Sequence, residues 1–149
     1  MRAVVQRVKD ALVSVGGYRV DTITSGLLVY LGVGRKDTDR DLSAMCEKIV
    51  NLRIFSDNNG KMNLSVTDVH GEIMVISQFT LFGDTRGGRR PSYIEAAPPE
   101  MARGMYEKAI ATLRRMGFRV ATGEFQAIME VTYTNFGPVT ILLDSEKRF

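Results

Sequence analysis

The stretch Leu27–Val33 is apolar at almost every position, and Ile73–Ile76 is apolar throughout. Runs this short, with Ser25-Gly26 before the first, read as strands, and a strand without polar alternation must be covered on both faces. A chain that carries such strands has to build layers. The covering layers are legible as changes of period. Between Asp39 and Arg53, Leu42, Met45, Cys46, Ile49 and Leu52 recur at helical spacing behind the cap candidates Asp37, Thr38 and Asp39. From Pro99 to Met116, Ala102, Tyr106, Ala109, Ile110 and Leu113 share one helix face, with proline early and Gly117 as terminator. Residues 1–33 read as consecutive strands punctuated at Gly16-Gly17 and Ser25-Gly26. Phe118–Thr122, Phe125–Thr134 and Val139–Leu143 read as three more, the last two separated by Asn135-Phe136-Gly137-Pro138. Several strands, helix, strand, helix, several strands is the order of an α+β layered fold rather than strict βαβ alternation.

At 149 residues, 44% hydrophobic and 25% charged, the chain suits one domain spanning 1–149. Charges at Arg2, Arg7, Lys9 and Asp10 leave no apolar leader at the amino terminus, so the expected location is cytoplasmic, with no membrane partner. The single cysteine, Cys46, excludes an internal disulfide framework and a thiolate metal cluster, and its place on a helix stripe suits a buried thiol. Net charge +3 and pI about 9.2 permit a polyanionic partner without requiring one. The excess concentrates locally at Arg86, Arg89 and Arg90 in TRGGRRPS, where glycines let the backbone approach a phosphate. A solvated basic turn is the alternative.

Several chemistries are excluded by what is missing. Ser-His-Asp and Cys-His systems need an imidazole beside the nucleophile, and the only histidine is His70, in the turn-like DVHGE. No zinc-ligand spacing, GxGxxG fingerprint or GxxxxGK loop occurs, and the DNNG turn at Asp57–Gly60 fails the calcium-loop pattern. Neither a metal nor a cofactor is therefore expected. What remains is a polar segment at the end of the second apolar run. Ser77, Gln78 and Thr80 offer hydroxyl, amide and main-chain N–H groups to a developing oxyanion, and Phe79 offers a face for a base. An ordinary strand end is the competing interpretation. Gly137-Pro138 is similarly two-sided: in the trans form it is a turn, whereas in the cis form it can aim two adjacent carbonyl oxygens the same way.

Six collinear segments carry a family resemblance: MRAVVQRV, GLLVYLGV, LRIFSD with GKMNLSV, SQFTLFGDT, GRRPSY and NFGPVT. Together they make the chain resemble, over essentially its full length, the D-aminoacyl-tRNA deacylases, formerly called D-tyrosyl-tRNA deacylases. The resemblance implies mixed β-sheets in a barrel-like core covered by two main helices. It also implies a homodimer, in which Ser77, Gln78, Phe79, Thr80 and Leu81 of one subunit form a pocket completed by Gly137 and Pro138 of the other. The paired carbonyls of that dipeptide would bar an L-amino acid by steric conflict and admit a D-residue or glycine, so selectivity would come from a penalty on the wrong enantiomer. The substrate implied is D-aminoacyl-tRNA, and glycyl-tRNA mischarged on tRNA-Ala with it.

For the chemistry, the resemblance favours help from the terminal ribose 2′-hydroxyl, with main-chain groups holding the ester and its oxyanion, which suits a chain without a triad. Thr80 as nucleophile is the alternative, but no base partner for it is visible. Arg7 lies in phase with Ala3 and Val5, and the resemblance suggests that it holds the Gly-Pro loop; a solvent-facing edge arginine is the alternative. Met129 and Asn135 are expected to flank the pocket, with Met129 otherwise filling core. The family commonly has glycine or alanine where Gln126 stands and an acidic residue where Phe136 stands, departures that bear on substrate breadth and rate. Two other function classes compete: an RNA-binding module without turnover, using Phe79 and the basic turn, and a small-molecule esterase using Thr80.

Overall fold

The computed structural model describes residues 1–148. In chain order the elements are β1 (Arg2–Val15), β2 (Tyr18–Ile23), β3 (Gly26–Gly32), α1 (Asp39–Asn51), β4 (Phe55–Ser56), β5 (Met62–Leu64), β6 (Glu72–Ser77), a 3₁₀ turn (Phe79–Phe82), α2 (Pro99–Arg115), β7 (Val120–Thr122) and β8 (Met129–Asp144). The main sheet runs β2-β1-β3-β6-β7, with β8 added along β1, and β4 and β5 form a separate hairpin. β3, β6 and β7 are parallel, whereas β1 is antiparallel to β2, β3 and β8. Asp21 on β2 accepts the Thr122 N–H of β7 at 3.1 Å, and Arg119 reaches the Thr22 carbonyl at 2.7 Å. These ties bring the two ends of the sheet together into a nearly closed mixed barrel covered by two helices.

The apolar runs do what their pattern requires. Along β3, Leu27, Val29 and Leu31 pack under the helices while Leu28 points into the barrel; along β6, Ile73 and Val75 take the first side and Met74 and Ile76 the second. Each such fully buried side chain contributes about 1.5–3 kcal/mol relative to exposure. α1 buries Leu42, Met45, Cys46, Ile49 and Val50, and α2 buries Met105, Tyr106, Ala109, Ile110 and Leu113. Tyr106 also donates its hydroxyl to the Val75 carbonyl at 2.8 Å, tying α2 to β6, and burial pushes that hydroxyl's pKa up to about 12.

β1 changes role halfway. Ala3 and Val5 face the helices, whereas Val8, Ala11 and Val13 face the barrel interior. The switch falls where the β1–β8 register shifts, between Gln6 and Val8 and again between Val8 and Ala11.

Several boundaries differ from the sequence reading. α1 ends at Asn51, and β7 begins only at Val120, because Gly117 at φ +96 and the following residues turn the chain out of α2. The larger correction concerns the end of the chain. Phe125–Ile128 is a turn, with Gln126 at φ +68 and the Ala127 N–H donating to the Glu124 carbonyl, rather than the start of a strand. The two strands expected on either side of Gly137-Pro138 are one, β8, interrupted by a bulge rather than a reversal. Asn135 makes this possible: its Oδ1 accepts the Val139 N–H and its Nδ2 donates to Thr140 Oγ1, both at 3.0 Å. These side-chain bonds replace the ladder bonds that the bulge forfeits.

Candidate active site

The parallel strands β3 and β6 end together, Leu31 opposite Ser77. Beyond that point the Gln78 N–H still donates to the Leu31 carbonyl at 2.8 Å, and the chain then tightens into the Phe79–Phe82 turn. Gly32 permits the approach, since a Cβ there would lie 2.9 Å from the Gln78 carbonyl oxygen and 3.2 Å from Leu81 Cβ. The turn is closed by the Leu81 N–H on the Gln78 carbonyl (3.3 Å) and the Gly83 N–H on the Thr80 carbonyl (2.9 Å). Arg2 anchors it by donating to the Leu81 carbonyl at 2.9 Å. At its start, the N–H groups of Phe79 and Thr80 have no acceptor among the described residues.

Against this turn lies a cleft of about 710 Å³, reached by Ser77, Gln78 and Phe79 from below, Tyr93 from the following loop, and Phe125, Gln126 and Met129 from the opposite wall. The amino end of α2, through Pro99 and Ala102, forms another side and adds the positive end of a helix dipole. Phe79 and Tyr93 stack edge to face at 5.0 Å between ring centroids, with 56% and 38% of their surfaces exposed. Among the described residues, Tyr93 is the only titratable side chain lining the cleft, and no acid, histidine or lysine reaches it. No group of three or more His, Cys, Asp and Glu side chains able to hold a metal converges among the described residues.

Of the residues singled out by sequence, Ser77, Gln78, Phe79 and Met129 line this cleft. Met129 also packs against the barrel interior. Thr80 sits on the exposed side of the turn, where its hydroxyl accepts a hydrogen bond from Gln78 Nε2, and Leu81 lies against Gly32. Arg7, Asn135, Gly137 and Pro138 gather elsewhere, where β8 bulges opposite Gln6–Val8. Arg7 is buried, 8% exposed, which excludes the solvent-facing alternative. Its guanidinium donates to the Phe136 carbonyl at 2.9 Å and to the Ile54 carbonyl at 2.5 Å, so it holds the segment entering the Gly-Pro peptide. That peptide is cis, and Gly137 has φ +133. Phe136, 47% exposed, lies under Arg7 and Lys9, whose charged groups stand 5.2 and 4.1 Å from its ring centroid.

Within one chain these two groups do not meet. None of Arg7, Asn135, Gly137 and Pro138 is among the residues that line the cleft. Sequence reasoning did not pick out Tyr93 or Phe125 as pocket residues. Tyr93 ends GRRPSY, where the arginines are the conspicuous residues, and Phe125 opens a segment whose composition reads as strand.

Fold and cleft together define a class: a nearly closed mixed barrel with two covering helices, whose parallel strands end at a cleft furnished with backbone donors and, among the described residues, no acid–base pair. The sequence pattern of the family described as "D-Tyr-tRNA(Tyr) deacylase" matches residues 4–144. The D-aminoacyl-tRNA deacylases of Fervidobacterium nodosum and Thermosipho africanus are 58% and 56% identical over 149 residues, covering all of this chain and all of each relative. A solved structure described as "c-Myc DNA Unwinding Element Binding Protein" is 42% identical with a TM-score of 0.92, covering 97% of this chain and 98% of that one. One described as a "probable eukaryotic D-amino acid tRNA deacylase" shares the fold at a TM-score of 0.80 and 17% identity, covering 95% and 97%. The chain belongs to the D-aminoacyl-tRNA deacylase family, a family of hydrolases.

Proposed function

We propose that this protein hydrolyses the ester of D-aminoacyl-tRNA, releasing the D-amino acid and tRNA, and acts as a chiral proofreader in translation. The reading rests above all on the acceptor-free N–H groups of Phe79 and Thr80, at the start of the turn that bounds a cleft lined, among the described residues, by no acid, histidine or lysine. An ester carbonyl seated there receives two backbone donors, and the charge that develops on its oxygen as water attacks is stabilised without a titrating side chain. The terminal ribose 2′-hydroxyl then assists the attack and the departure of its 3′ neighbour, a role that no lining residue is placed to fill. Covalent catalysis by Thr80 is the weaker alternative, because among the described residues the only side-chain group bonded to its hydroxyl is the Gln78 amide, which is no base.

The chirality gate is assigned to the carbonyls of Gly137 and Pro138, donated by a second copy of the chain to the cleft of the first. Two features support this arrangement. The dipeptide lies away from its own Ser77–Leu81 segment, and among the described residues β8 pairs only with β1, which leaves a 16-residue edge carrying the exposed Phe136 and Leu142. A gate of this kind turns away an L-side chain by collision and lets a D-residue through; glycine, lacking a side chain, also passes. Asn135 and Arg7 hold the gate, Met129 and Gln126 form the far wall of the pocket, and Leu81 backs the turn.

The test compares deacylation of D-tyrosyl-tRNA, L-tyrosyl-tRNA and glycyl-tRNA. Hydrolysis of the D-ester and the glycyl ester with the L-ester spared is expected, and equal rates on both enantiomers refute the proposal. Composite sites are checked by mixing subunits, one altered at Phe79 and one at Gly137: the mixed dimer regains one intact site, and activity above that of either variant alone is expected. A second reading, binding of nucleic acid without turnover, draws on the name of the 42% identical neighbour and on the exposed Phe79–Tyr93 pair; it predicts salt-sensitive binding with no release of amino acid.

A further inference from the structure

The loop that follows the 3₁₀ turn has no part in the chemistry above, yet it is built as a projecting cationic hairpin. Asp84 and Ser92 close its base with reciprocal backbone hydrogen bonds of 2.8 Å. Its root is packed onto the site: a Cβ on Gly83 would lie 3.2 Å from Tyr93 Cε1 and 3.5 Å from Pro91 Cβ. Within the loop the charges are sorted. Arg86 forks onto Asp84, Nε to Oδ1 at 2.9 Å and Nη2 to Oδ2 at 2.7 Å, and holds that carboxyl well below the usual range. This pair neutralises itself. Arg89 and Arg90, beyond Gly87 and Gly88, are exposed and have no hydrogen-bond or ion-pair partner among the described residues. Nothing lies within 4 Å of where a Cβ would stand on either glycine, so the backbone there is open to a close-lying chain. The loop returns directly into Tyr93, which with Phe79 presents exposed aromatic faces at the cleft mouth.

We infer that this loop is a phosphate grip for the single-stranded 3′ end of the RNA, with Arg89 and Arg90 contacting the backbone of the nucleotides that precede the aminoacylated one. The inference rests on the deacylase reading and adds to it the residues that position the strand. Unpaired cations on an open backbone attract a polyanion regardless of sequence, and adjoining aromatic faces accept unstacked bases. Arg89 and Arg90 are therefore positioning residues: they act on capture of the strand and not on the ester.

The test is steady-state deacylation of D-tyrosyl-tRNA by wild type, R89A/R90A and R89K/R90K between about 50 and 200 mM salt. A phosphate-free substrate, 3′-O-D-tyrosyl-adenosine, is assayed alongside. The alanine pair is expected to lower kcat/KM on the tRNA about tenfold through KM with kcat kept, and to flatten the plot of log kcat/KM against log salt by about 0.7 per lost contact. The lysine pair restores most of both, and hydrolysis of the adenosine ester is unchanged. An unaltered salt slope, a loss carried by kcat, or an equal loss on the adenosine ester overturns the inference and leaves the deacylase reading standing. Wild type that releases no D-tyrosine from the tRNA removes the deacylase reading itself.

Discussion

Replacing Gly137 by alanine perturbs the proposed gate at its most constrained point. With φ at +133, the residue occupies backbone that L side chains rarely adopt, a cost of about 1–3 kcal/mol. The added Cβ would also stand 2.7 Å from Arg7 Nη2 and 2.7 Å from Val139 Cγ2. Neither neighbour yields freely. Arg7 is held by the Phe136 and Ile54 carbonyls, and Val139 by its N–H on Asn135 Oδ1, so relief of the contact sacrifices a hydrogen bond from a charged group, about 1.5–3 kcal/mol. Together the expected loss is about 2.5–6 kcal/mol, a large share of a typical unfolding free energy of about 5–15 kcal/mol. Urea unfolding reads it directly, and a melting temperature lowered by about 10 °C accompanies it. In the same variant, assayed well below its melt, the rate on D-tyrosyl-tRNA falls and the preference for it over L-tyrosyl-tRNA shrinks, because the carbonyls on either side of the new methyl are displaced. Stability within about 1 kcal/mol of wild type together with an unchanged D-to-L ratio would refute both the strain argument and the gate.

Three further outcomes are expected. Gly123→Ala sets a methyl against Met129 Sδ, and since Met129 lines the cleft, the thioether is displaced toward the substrate and KM for D-tyrosyl-tRNA rises several-fold with stability changed by only about 1 kcal/mol; an unchanged KM contradicts it. Asp41 accepts both the N–H and the hydroxyl of Thr38, at 2.9 and 2.7 Å, and these bonds lower its carboxyl to about pH 2. Because the folded value lies below the unfolded one, the stabilisation is complete above about pH 4 and disappears as pH falls toward 2. Asp41→Ala should therefore cost about 1 kcal/mol at pH 7, and the gap to wild type should close in melts run between pH 4 and 2. Cys46 is buried, and burial raises its thiol to about 11, so the native protein should resist iodoacetamide at pH 8 and react once unfolded in urea.

Where a residue's fate was set by its immediate neighbours, the sequence was readable. The apolar runs of β3 and β6 could be satisfied only between two layers, and the 3.6-residue stripes of α1 and α2 supplied one of those layers. Failures occurred where side chains from afar decided the backbone. Gly-Pro is a turn signal by local chemistry, but Asn135 reaches across the bulge to Val139 and Thr140, and β1 pairs with β8 on both sides of it, so the strand continues. Phe125–Ile128 is nearly apolar and reads as strand, yet Gln126 lies in the left-handed region, where its Oε1 accepts from Arg103 at 3.3 Å on a helix distant in sequence. The far wall of the cleft belongs to this second kind and left no local pattern to read.

Composition and spacing point to no activity in this chain, whereas short motifs do, for the same physical reason. An active site built on histidine, cysteine or paired carboxylates shows itself through rare residue types, whereas one built on main-chain N–H and carbonyl groups uses atoms that every residue has. What such a site requires of the sequence is only that the backbone be held in place. In the proposed site, Gly32 has to be small enough to lie against the Gln78 carbonyl, Arg7 has to reach two carbonyls at once, and Asn135 has to bridge the bulge. Each is an ordinary residue given meaning by its place in the fold. A lysine at position 7 would keep the charge but could not reproduce the fork onto Phe136 and Ile54. It follows that conservative substitutions at these supports should damage activity more than substitution of the Thr80 hydroxyl, the reverse of what a nucleophile-based hydrolase would show.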